Sequence, residues 1–176
     1  MFRLILLLLI SSSLLLSKVL IRPDEAMRAH FGKDAIVSKK NILLVKKDII
    51  EAQKIAKRKI KDHLFRIFIA KKGNIVLGYG VLHTSKVRTK DETSMFLIGT
   101  NGKLKAIEII AFYEPPEYLP PKRWLKQFSG STTKNELKLK QDIRSISGAT
   151  LSARAITDST KIALSILEVA RKKSKI

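Results

Sequence analysis

The sequence predicts an α+β fold: a twisted antiparallel sheet flanked by helices, which lie against one face and around its ends, preceded by an N-terminal hydrophobic anchor or signal segment. Three observations carry this expectation. Four runs of β-branched and aromatic residues follow one another, two of the three connections marked by turn signals, the order of a meander rather than of alternating strands and helices. A long stretch near the C-terminus repeats its apolar residues at helical spacing. Residues 1–21 are mostly apolar.

That N-terminal segment holds Leu4 to Ile10, three serines and Leu14 to Leu16. From Leu4 to Ile21 it would make a helix about 27 Å long, with Lys18 snorkelling at one end, which favours an uncleaved membrane anchor. A signal peptide is the competing reading, but cleavage after Ser17 would put Leu15 where a small residue belongs. Residues 22–62 read as a helical lead-in. Pro23-Asp24-Glu25 opens a short helix with an acidic first turn, and Asp48 caps a second whose Ile49, Ala52, Ile55, Ala56 and Ile60 point inward. Between them, Ile36-Val37 and Ile42 to Val45 look strand-like or buried.

Residues 63–176 form the main body. Its sheet runs are Leu64 to Ile69, Ile75 to Leu82, Met95 to Ile98 and Leu104 to Tyr113, with turn signals at Lys72-Gly73-Asn74 and Asn101-Gly102. Gly78-Tyr79-Gly80 is followed by more strand rather than by a helix, so it reads as bulge or close-packing glycines and not as a dinucleotide-binding turn. The closing helix gathers Ile156, Ile162, Ala163, Ile166, Leu167 and Ala170 on one face, with Ser159 as a polar break.

Composition removes several function classes. The chain of 176 residues has no cysteine, which excludes disulfides, thiolate zinc sites, iron–sulfur clusters and a lipoprotein anchor. Its net charge of +20 would draw in nucleic acid, anionic lipid or acidic proteins. The lysines and arginines are scattered in small groups, however, and only 6% of residues are aromatic, which leaves little for base stacking. No nucleic acid is expected as a partner. His30, His63 and His83 lie far apart without metal-ligand spacing, and no paired acids or Ser/His/Asp order points to hydrolysis.

The chemistry concentrates at Ser147-Gly148-Ala149-Thr150, where small residues open onto the last helix. A helix start leaves backbone N–H groups without intrahelical partners, and with the helix dipole they form a seat for a phosphate. Gly148 and Ala149 would let an anion approach the backbone, and Thr150 would put a hydroxyl beside it. The plainer alternative is that Ser147 or Thr150 only caps the helix.

The run Ile146-Ser147-Gly148-Ala149-Thr150-Leu151-Ser152-Ala153-Arg154-Ala155-Ile156-Thr157 resembles the signature of the FMN-binding domain family, which includes the C subunit of the sodium-pumping NADH:quinone reductase and the G subunit of the Rnf complex. Glu114 after a strand, followed by Trp124-Leu125 and Gln127-Phe128, is similar to standalone members, and the likeness spans roughly residues 75–168. The resemblance implies FMN joined through its phosphate to Thr150 by a separate flavin transferase. Ser147, Gly148, Ala149, Leu151 and Ser152 would form the loop, with Glu114, Trp124, Arg144 and Arg154 as neighbours. Trp124 would either stack on the flavin or anchor the core. Arg144 stands where the family commonly has Asp; a guanidinium can pair with phosphate, so FMN held without an ester is the variant of this reading.

The resemblance also implies electron transfer with redox partner proteins or a quinone-linked membrane complex, and a body on the exported side of a bacterial inner membrane. Positive-inside counting points the other way, with Arg3 before the segment and Lys18, Arg22, Arg28 and Lys33 after it. The rival from another class is a basic membrane-surface or nucleic-acid-binding module without a cofactor.

Overall fold

The computed structural model describes residues 18–176; most of the anchor or signal segment lies outside them, but its end, expected to continue a helix to Ile21, is extended at Lys18–Val19 and bonded to the sheet. Among the described residues no helix is long and apolar enough to cross a membrane. The elements run β1 (Lys18–Val19), α1 (Pro23–Phe31), β2 (Ile36–Leu43), α2 (Lys46–Ala56), β3 (Leu64–Lys72), β4 (Ile75–Lys86), β5 (Asp91–Gly99), β6 (Leu104–Phe112), α3 (Lys122–Leu125) and α4 (Thr150–Lys172).

The class is α+β. Six strands form one antiparallel sheet in the order β1-β6-β5-β4-β3-β2. Strands β2 to β6 are therefore a meander, and β1 returns to the far edge to pair Lys18 with Phe112 and Val19 with Ala111. The segment 22–62 contributes β2 as well as its two helices, in register with β3 from Ile36↔Lys71 to Leu43↔Leu64. The polar run Ser38-Lys39-Lys40-Asn41 joins the two strand-like ends, Ile36-Val37 and Ile42-Leu43, into one edge strand that a hydrophobicity reading splits. Strand β5 is also longer than its apolar part, because Asp91 to Ser94 belong to it.

Helices lie on both faces of the sheet rather than on one. On one face α2 and α4 bury Ile49, Ala52, Ile156, Ala163 and Ile166 against Ile67, Val81, Phe96 and Ile107. On the other face α1 lays Met27 over Phe68, Met95 and Leu97. Gly78 and Gly80 make room for it: a Cβ at Gly78 would stand 2.1 Å from the Phe31 ring, and one at Gly80 would stand 2.6 Å from the Met27 sulfur. The pairing register of β3 with β4 also shifts beside Gly78, so bulge and close packing coincide there.

Helix α4 is the central support of its face. The apolar residues predicted for its inner side are all buried, and each such Ile or Leu adds about 1.5–3 kcal/mol through burial. Its buried hydroxyls mostly satisfy themselves within the helix: Thr157 donates to Ala153 O, Thr160 to Ile156 O and Ser165 to Ile162 O. Ser159, the expected polar break, is buried against the sheet and bonded to His83 Nδ1 at 3.1 Å.

Candidate functional site

Between α3 and α4 the chain runs for two dozen residues with little regular structure, yet it is fixed at several points. Lys161, buried on α4, donates its ammonium to Asn135 O (3.2 Å) and Glu136 O (2.9 Å). Leu137 and Ile143 sink into the core. Trp124 donates its indole N–H to Arg144 O at 2.6 Å, while Arg144 N–H donates to Gln127 Oε1 at 3.0 Å. Trp124 is buried and meets Phe128 edge-on at 5.2 Å. These bonds deliver the chain to Ser147 in a set direction.

Gly148 then takes φ +76°, a left-handed conformation that other residues adopt only with strain. A Cβ there would meet nothing within 4 Å, so the glycine is required by backbone angle rather than by crowding. Ala149 is the N-cap of α4, and no side chain caps the helix. Neither Ser147 nor Thr150 does so, which removes the plainer explanation of the motif. The first backward rung is Ala153 N–H to Ala149 O at 3.0 Å, so the amides of Thr150, Leu151 and Ser152 precede the helical ladder.

A pocket of about 350 Å³ opens at this helix start, lined by Gly148, Ala149, Thr150, Leu151 and Ser152 together with Arg88 and Tyr118. Thr150 lies at the exposed mouth, whereas Ser152 is 1% exposed and its Oγ has no hydrogen-bond partner. Among the buried hydroxyls of α4, this is the one left without a partner, and it sits in the pocket wall. Free amides, a positive helix end, an orphaned hydroxyl and an arginine are the donor set that a phosphate monoester takes. The residues present fit FMN.

Arg88 and Tyr118 were not legible as site residues. Arg88 belongs to the loop between β4 and β5, and Glu114 explains its place. The Glu114 Oε1 accepts the backbone N–H of Lys90 (2.8 Å), Thr89 (2.6 Å) and Arg88 (3.0 Å). Those bonds, the one from Lys90 foremost, hold the Glu114 carboxyl below its ordinary range and charged. Thus clamped, the loop lets the Arg88 guanidinium reach Tyr118 OH at 3.1 Å and lie 5.3 Å from the centre of its ring. Glu114 therefore stands behind the pocket as a positioning residue. The signal for Arg88 was present in the sequence only as the basic run Lys86-Val87-Arg88-Thr89-Lys90.

The other expected neighbours stand apart. Trp124 and Arg144 line a separate cavity of about 490 Å³ with Arg123, Gln127 and Asp142. Arg154 is exposed one turn along α4 from Thr150, and Ser147 is exposed in the approach. On the sheet face that packs against α4, Glu92 is 1% exposed; its Oε1 accepts the Ser94 hydroxyl at 2.8 Å and its Oε2 has no partner. Burial pushes Glu92 up to about 7. Burial likewise pushes His83 down, against a weaker opposing pull from Asp62. Among the described residues no group of acids and histidines could hold a metal ion.

No curated protein matches the chain. Residues 90–165 match the FMN-binding domain family, a span that starts in the Arg88–Lys90 loop, takes in Glu114 and Trp124, and ends inside α4. The match indicates FMN as the cofactor of this span.

Proposed function

We propose that the protein is an electron carrier holding FMN at the start of α4, with the flavin phosphate esterified to Thr150, and that it works tethered on the exported side of a bacterial inner membrane. The observation that carries this reading is the bare start of α4, where three free amides and the orphaned Ser152 hydroxyl surround the exposed Thr150. When bound, FMN supplies one- and two-electron chemistry. Thr150 offers the oxygen that replaces AMP on the FMN phosphorus when a transferase uses FAD. Leu151 and Ser152 donate amides, Gly148 sets the turn, and Arg88 supplies the opposing positive charge. Residues 63–176 would be the functional unit, with 22–62 completing the sheet.

The membrane part of the reading rests on the apolar sequence before Lys18, and the redox partners on the family's chemistry. Fractionation should place full-length protein in the membrane, with the body open to added protease; a protected body would reverse the orientation. Salt should slow transfer to acidic partner proteins if the +20 charge steers them.

Intact mass decides the attachment. Co-expressed with a flavin transferase, the chain should gain FMN minus one water. Thr150→Ala should abolish that gain, and because Thr150 caps nothing it should barely change stability. A coloured protein that loses FMN on denaturation would select the non-covalent variant. A colourless, unmodified chain under conditions that load a related domain would sink the flavin reading.

A further inference from the structure

A second concavity, away from Thr150, lies along the edge of β6 that β1 leaves uncovered. Its volume is about 400 Å³, within the range of small-molecule sites. The floor is apolar, made by Ala106 and Ile107 of β6 and by Leu125 of α3. The rim is basic: Lys105, Lys122 and Lys126 face one carboxylate, Glu108. That carboxylate is already engaged, because His30 Nε2 stands 2.8 Å from its Oε1. The His30 bond, with help from Lys122, keeps Glu108 below its usual range.

Lys105 is engaged as well. Its ammonium donates to His30 O at 3.2 Å and lies 4.9 Å from the centre of the Phe31 ring. Lys122 and Lys126 differ. Lys122 is near enough to help hold Glu108 charged, but neither lysine has a hydrogen bond or close ion pair among the described residues, and they stand four positions apart where α3 passes into the next turn. Like charges at that spacing repel, so the pair carries a small standing cost that an anion would relieve.

From this arrangement we infer that the cavity binds a small amphipathic anion, a carboxylate on a compact apolar body, with the head between Lys122 and Lys126 and the body on Ala106, Ile107 and Leu125. The pocket is independent of the flavin seat, so its test does not need the loaded protein. The probe is 4-butylbenzoate, titrated into the full chain in neutral detergent and followed by calorimetry and backbone amide shifts. One molecule should bind per chain, with the shifts centred on Ala106, Ile107 and Leu125. Lys122→Gln with Lys126→Gln should weaken binding by about tenfold or more. The charge-matched pair Lys134→Gln with Lys140→Gln, on an exposed loop, should leave it within about twofold. Three results would overturn the inference: equal loss in both double variants, which would mean a general field effect; equal binding of 4-butylbenzylamine; or shifts that map elsewhere. Lysine-dependent capture by phosphatidylglycerol vesicles without one-to-one binding of the benzoate would also overturn it, in favour of a bilayer contact.

Discussion

Helices α1 and α4 begin in opposite ways. At the start of α1 the chain supplies its own negative charge: Asp24 and Glu25 stand in the first turn, and Glu25 Oε2 accepts the Arg22 N–H at 3.4 Å. At the start of α4 there is no acid in the first turn and no side-chain cap. Each helix presents about half a positive charge at that end. In α1 it is neutralised from within; in α4 it is left for something from outside. An anion seat is here made by withholding residues that an ordinary helix start would carry.

The largest test of that contrast is to make α4 begin like α1. Leu151→Asp keeps the Thr150 hydroxyl but fills the seat with the chain's own carboxylate. FMN titrated into unmodified protein should bind about 100-fold more weakly or worse, from like charges some 6 Å apart. The same variant should raise the stability of the free protein by about 0.5 kcal/mol in urea unfolding. Weaker flavin binding with a more stable fold is an outcome that general damage cannot produce.

Glu92 extends the contrast, since it too is a polar group left without a full set of partners. An acid whose folded pKa is raised to about 7 stays protonated while the unfolded chain releases its proton from about 4.5 upward. Its penalty is absent below 4.5, grows between 4.5 and 7, and is constant above, reaching about 3 kcal/mol. Glu92→Gln should therefore stabilise the free protein at pH 8 and do little at pH 4.5. Melting curves of both proteins at the two pH values check this, and parallel curves would refute it.

Arg88→Ala removes the charge that faces α4 across the pocket and should weaken FMN by about tenfold without moving the melting temperature. The smallest effect belongs to Gly148→Ala. Space is free for the methyl, so the cost should be the left-handed backbone alone, about 1 kcal/mol in urea unfolding. A much larger loss would mean that the turn packs more tightly than it is built.

Sequence periodicity revealed the elements whose two sides differ, and missed those whose sides do not. The meander and α4 were legible because Ile156, Ala163 and Ile166 recur at helical spacing and Asn101-Gly102 marks a hairpin. Both ends of β2, Ile36-Val37 and Ile42-Leu43, were legible as strand-like, and only the exposed polar run between them hid that they are one strand; the first half of β5 was concealed by Glu92 and Ser94, which are polar yet buried. The phosphate loop was legible because its small residues are contiguous. Arg88 was not, because its place depends on Glu114, 26 positions later, closing on the backbone of its loop. Trp124 shows the converse: it is contiguous with a family-like run, but its indole N–H is spent on Arg144 O.

The pairing of β1 bears on how the molecule could be wired. Lys18 lies opposite Phe112, and Phe112 opposite Glu92, so these three stand in one row across the end of the sheet. Two strand spacings separate Lys18 from Glu92, about 10 Å. That row is the end from which Glu114 clamps the Arg88 loop beside Thr150. If the apolar residues up to Leu16 sit in a bilayer, only Ser17 would separate them in sequence from β1. The cofactor could not swing between distant partners as a tethered shuttle does; donor and acceptor would have to come to a fixed station close to the lipid surface.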